Sequence, residues 1–145
     1  MKKLTLLWVC MFVFSSAIWA SNDRPIKITE MPKQAQTFIK NYFPTRSVAL
    51  AKMELDFLNK SYEVIFTNGD KVEFDKNGKW TDIDCEHSVV PSGVVPQSIK
   101  EYVQKQYPSA KIKKIELTDR KGFEVELSND VEIEFDKKFN VIDID

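Results

Sequence analysis

Asp82 and Asp84, and again Asp143 and Asp145, stand two residues apart. On a β-strand that spacing puts both carboxylates of a pair on one face. Glu63 and Glu73 accompany the first pair, and Glu124 and Glu134 the second. Each group offers the oxygen ligands that a hard cation such as calcium takes. Asp75-Lys-Asn-Gly78 resembles the opening of a calcium loop but lacks the remaining ligands and the closing glutamate. Lys52, Lys71 and Lys114 fall among these acids, so the expectation is a hydrated sheet face with no metal site. Cys85 and His87 are also two apart, as a thiol–imidazole couple would be, but no third group orients them. The chain has one histidine and, beyond residue 20, one cysteine, which cannot build the common zinc sets. Its four glycines form no phosphate loop. No catalytic residue, metal or cofactor is expected.

Binding is a better use of these residues. Alternation places Trp80 and Ile65 on the acidic face, ringed by Glu63, Glu73, Asp82 and Asp84. Phe57 lies with Leu58 in the longer loop of the first half. Exposed aromatic side chains inside a polar rim are the usual anchors of protein interfaces. These seven residues are the candidate partner-binding set.

The elements that must position them are written twice. Residues 62–84 recur at 123–145, with ten of 23 positions identical and no gap. Upstream, residues 31–44 answer 95–108. Each unit begins with a helix. Pro32 and Pro96 sit where a first turn tolerates proline, and Pro44 and Pro108 stop the helices. Ala35, Phe38, Ile39, Tyr42 and Phe43 make one apolar helical face; Ile99, Tyr102, Val103 and Tyr107 make the other. Four strands follow each helix: about 47–55, 62–67, 71–75 and 79–84, then 111–119, 123–128, 132–136 and 140–145. Short Asn-Gly and Asn-Asp connections imply antiparallel hairpins. Tyr62, Val64, Phe66, Val72, Phe74 and Ile83 point toward the helices, as do Phe123, Val125, Leu127, Ile133, Phe135 and Ile144. The expected fold is α+β: a tandem helix plus four-stranded meander, eight strands in all, with helices on one face and the acids on the other.

The ends set the compartment. Lys2 and Lys3, the apolar run Leu4–Phe14 and the small residue Ala20 read as a signal peptide over residues 1–20, too short for a membrane anchor. A single domain is expected over 21–145, made of repeats at about 28–85 and 92–145. Removal of Lys2 and Lys3 takes the formal charge from −1 to −3, without the basic face that nucleic acid requires. Cys85 is then left without a disulfide partner, and a partly buried thiol is expected.

The tandem helix-plus-strands unit, the hairpin Phe74-Asp-Lys-Asn-Gly-Lys-Trp80 and the final Asp-x-Asp resemble the PepSY-like periplasmic proteins of Bacteroides-type bacteria. That family is described as similar to beta-lactamase inhibitory protein. The resemblance covers nearly all of residues 28–145, although Phe139 replaces the turn glycine and Val141 the tryptophan in the second copy. It implies a periplasmic or secreted, non-enzymatic binding module. An inhibitor of a peptidase or envelope enzyme is one such role. The partner would be a periplasmic or secreted protein, not nucleic acid or membrane. The alternative is a periplasmic protein that binds a small ligand or a cation.

Overall fold

A computed structural model describes residues 22–145; the expectation of a signal peptide over residues 1–20 falls outside them. One antiparallel sheet of nine strands runs in chain order. Its strands are β1 (Arg24–Ile26), β2 (Val48–Asp56), β3 (Asn59–Phe66), β4 (Lys71–Phe74), β5 (Trp80–Asp84), β6 (Ile112–Leu117), β7 (Phe123–Leu127), β8 (Glu132–Phe135) and β9 (Val141–Ile144). Helix α1 (Lys33–Tyr42) precedes β2, and α2 (Gln97–Gln106) precedes β6. Both helices start directly after a proline and end just before the next one, as the sequence predicts.

Each helix covers its share of the sheet with a narrow apolar stripe. Ala35 and Ile39 of α1 and Ile99 and Val103 of α2 are buried against Val64, Val72, Ile83, Ile115, Val125 and Ile133. Phe38 meets Phe74 edge-on at 5.6 Å, and Tyr102 meets Phe135 the same way at 5.5 Å. Such pairs add about 0.5–1.5 kcal/mol to the burial of their rings. The halves join through β5 and β6, where Ile83 pairs with Ile115 and both are fully buried.

Three features depart from the sequence expectation. The sheet has nine strands rather than eight, because Arg24-Pro-Ile26 pairs with Ala51–Met53. Three residues with a central proline carry no strand signal, yet proline is tolerated on a sheet edge. The loop expected around Phe57 is a two-residue tip, since β2 and β3 stay paired up to Asp56 and Asn59. The third departure concerns Trp80. Glu73 pairs with Asp82 and Phe74 with Trp80, which leaves Thr81 as an extra residue. This β-bulge breaks the two-residue alternation and turns the following side chain over. Trp80 therefore lies on the helix side, half-buried against the core, and not on the acidic face. Ile142 is the extra residue at the same place in β9, and Val141 is turned likewise.

Candidate functional site: an acidic row across the sheet

The register between strands lines up the acids. Glu63 of β3 pairs with Glu73 of β4, Glu73 with Asp82, and Asp82 with Glu116. Glu116 then pairs with Glu124, Glu124 with Glu134, and Glu134 with Asp143. Seven carboxylates thus stand opposite one another on seven successive strands. At about 4.8 Å per strand the row runs roughly 29 Å. Like charges directly opposite destabilise a sheet. The row is a cost that the core offsets.

Cations sit at particular points of this row. Lys52 closes its first end, with Nζ 2.8 Å from Glu63 and 3.0 Å from Asp23. Lys114, one position off the row, reaches Asp82 at 3.2 Å and Glu116 at 3.1 Å. Among the described residues, Glu73 and Glu124 have no such partner. Burial raises the Glu73 carboxyl above its ordinary value, and Asp82 and Glu63 push the same way. Glu124 is raised by burial and by Glu116 and Glu132. Asp82 is raised by burial in spite of Lys114. All three groups bind a proton more readily here than in water.

The structure separates the seven candidate binding residues. Glu63, Glu73 and Asp82 lie in the acidic row. Ile65 and Asp84 lie in the neighbouring row, where Ile65 stands between Leu50 and Lys71, and Asp84 pairs with Lys71 and Lys114. Phe57 is at the hairpin tip, 98% exposed, beside Leu58 at 87%. That tip extends beyond β4, whose pairing with β3 stops at Tyr62. Trp80 is on the opposite side of the sheet. The sequence reading placed the second-half acids on a wet face but did not align them with the first half. Only the Asp82–Glu116 pairing joins the two sets. The alternation of Lys114 and Glu116 across Ile115 was the available signal.

Cys85 opens a turn closed by the Ser88 N–H on its carbonyl at 2.9 Å, so Cys85 and His87 are not on one extended face. The Cys85 thiol is fully buried, deeper than the partly buried thiol expected, and burial together with Asp70 pushes it up to about 11. It is protonated at neutral pH and a poor nucleophile. Asp70, which the sequence reading passed over, is the one buried charged side chain among the described residues. Its carboxylate accepts hydrogen bonds from Arg46 at 2.6 Å, from Asn68 at 2.8 Å and from the Ser88 hydroxyl. Burial opposes its charge, but Ser88, Asn68 and Arg46 together hold its carboxyl below the usual range. Asp70 ties the entry to β2, the β3–β4 turn and the segment after β5 into one joint. That role is structural.

The sequence profile described as "Putative beta-lactamase-inhibitor-like, PepSY-like" matches residues 60–143. The chain belongs to the PepSY-like family. A crystal structure described as a "putative periplasmic protein from DUF2874 family", from Bacteroides vulgatus, is 58% identical. It aligns with a TM-score of 0.83 over 87% of this chain and 98% of that one. A second, from Bacteroides thetaiotaomicron, is described as a "putative calcium-regulated periplasmic protein". It is also 58% identical, with a TM-score of 0.83 over 85% of this chain and 96% of that one. A third, described as a "putative periplasmic protein of unknown function" from Bacteroides vulgatus, is 34% identical. Its TM-score is 0.79 over 85% of this chain and 98% of that one. No curated protein matches the chain. Among the described residues of this PepSY-like protein, no helix is long and apolar enough to cross a membrane, and no three metal-ligating side chains cluster closely enough to hold an ion.

Proposed function

We propose that this PepSY-like protein is an exported, non-enzymatic binding module whose sheet face receives a cationic protein surface. The acidic row is the observation that carries this reading. It holds seven carboxylates in line at a folding cost, with cations paired to it at two places among the described residues. The Phe57–Leu58 tip adds an apolar anchor beside that face. The family's inhibitor-like description and the periplasmic description of its relatives support an envelope or secreted partner. A tandem repeat resembling beta-lactamase inhibitory protein, with a signal peptide over residues 1–20, is the architecture this reading assumes.

The test is affinity capture from native cell envelope, followed by kinetics on the captured partner. Association should slow as salt rises, because charge steers the encounter. Glu73→Gln with Glu124→Gln should slow it at low salt without unfolding the protein. Phe57→Ala with Leu58→Ala should speed dissociation by roughly 1–3 kcal/mol if the tip is a hot spot. A partner held equally well by all these variants would end the proposal.

A cation on the same row is the second reading, favoured by the relative described as calcium-regulated. Calcium takes 6–8 converging oxygens. Carboxylates one strand apart along a flat row supply two at a time. Micromolar calcium should therefore leave the melting temperature unchanged. A rise of several degrees would favour the cation reading, because a ligand specific for the folded state stabilises it.

A further inference from the structure

The helix side of the sheet carries a groove of about 390 Å³ between α1 and the β4–β5 turn, with Trp80 in its wall. That volume is in the range of small-molecule sites. The bulge at Thr81 puts the indole there, and Phe38 and Tyr42 of α1, 4.8 Å apart between ring centres, form the facing aromatic pair. Two glycines shape it. Gly78, at φ +85°, lets the turn approach so closely that a Cβ would stand 2.8 Å from Pro32 and 2.9 Å from the Ala35 nitrogen. Gly93 needs no unusual backbone, but a Cβ there would lie 3.0 Å from the Tyr42 ring. At the matching places of the second half stand Phe139, stacked on Phe123 at 5.7 Å, and Val141. The aromatic wall that Trp80 supplies has no counterpart there.

The charge around the groove is predominantly positive. Lys79 is the one charged residue in its lining. Helix α1 adds Lys33 and Lys40 and carries no acid; the turn adds Lys76. Asp75 is the nearby acid in the turn, and its Oδ1 is engaged by the Asn77 and Lys79 N–H groups at 2.8 and 3.0 Å. The side-chain amides of Gln34 and Asn41 supply neutral donors and acceptors. We propose that this groove binds a small amphipathic carboxylate, its apolar or aromatic body against Trp80 and its carboxylate beside Lys79. The site is on the other side of the sheet from the acidic row and is independent of it.

The probes are 3-phenylpropionate, its neutral amide and phenethylammonium, titrated into nitrogen-15-labelled protein at low salt. The expected result is saturable movement of the Lys79 backbone amide, the Trp80 indole N–H and the Gln34 and Asn41 side-chain amides. The carboxylate should bind roughly 2–5-fold tighter than the amide, as one exposed ion pair allows. The ammonium should bind weakest. Lys79→Gln should erase the preference for carboxylate over amide while leaving amide affinity unchanged. Thr37→Trp, an exposed helix position on the groove, should block all three probes with the circular dichroism spectrum retained. Equal affinity for the three probes would overturn the assignment. So would absence of saturable shifts, or binding that survives Thr37→Trp.

Discussion

The two halves of the sheet share their registers and differ at a few side chains. Tyr62 pairs with Phe74 as Phe123 pairs with Phe135, and Val72 pairs with Ile83 as Ile133 pairs with Ile144. The Phe66 N–H bonds to the Asp70 carbonyl at 2.8 Å, and the Leu127 N–H to the Val131 carbonyl at 2.9 Å. At that shared backbone position the first half buries the carboxylate of Asp70 and the second partly buries the apolar Val131. The first half has Gly78 and Trp80, where the second has Phe139 at φ 65° and Val141. The first hairpin ends in Phe57-Leu58, whereas β6 and β7 are joined by the polar Thr118-Asp-Arg-Lys-Gly122. The backbone design thus tolerates either set. Features found in the first half alone are therefore not demanded by the fold, and are the places to look for a purpose.

The Asp70 joint tests this most severely. Asp70→Ala removes a buried charge and strands the donors of Arg46, Asn68 and Ser88. It should destabilise the protein by about 3 kcal/mol, the low end for a broken buried pair because Arg46 keeps some access to water. Val131→Ala should cost about 1 kcal/mol, being only partly buried. Equal losses in chemical denaturation would mean that the joint contributes nothing special.

Trp80 is the next break. Trp80→Ala removes a half-buried indole packed on the core and should cost about 2 kcal/mol, less than the 3–5 of a fully buried aromatic. Val141→Ala, the matched position, should cost under about 1 kcal/mol. Because Trp80 faces the helices, Trp80→Ala should leave the salt dependence of any partner on the acidic face unchanged. If partner association fell while stability held, the indole would be acting on the acidic face after all.

Trp80 also shows where the sequence stopped being legible. Helix ends were readable because prolines impose them locally. Core strands were readable because apolar alternation is a local pattern, and eight of the strands follow from it. The bulge at Thr81 was not readable: it depends on how β5 meets β4, and regular alternation from Ile83 puts Trp80 on the same face as Asp82 and Asp84. The seven-acid row needed the β5–β6 register, a contact between distant segments. Asp70 looked like an ordinary turn residue, since its burial comes from Arg46 and Ser88, far away in sequence. Of the candidate set, Glu63, Glu73, Asp82, Asp84 and Ile65 were placed on the correct face by alternation alone.

The smallest effect separates the two kinds of carboxylate by pH. Glu73, Asp82 and Glu124 have raised folded-state values, so each costs stability wherever it is ionised in both states. That cost is relieved as pH falls through the folded value toward the unfolded one. Asp70 has the opposite sign. Its depressed value contributes stability above the ordinary carboxylate range, and this is lost as pH falls through its folded value. Acidification from neutrality should therefore raise the melting temperature slightly, by about 1–4 °C, before the ordinary carboxylate range is reached. Below that range stability should collapse as Asp70 gains its proton. Glu73→Gln with Glu124→Gln should flatten the rise and leave the collapse. Salt at neutral pH should mimic the rise in part, because the row is partly solvent-screened. A melting temperature that only falls from neutrality downward, with no response to salt, would show that the row is too well hydrated to strain the sheet.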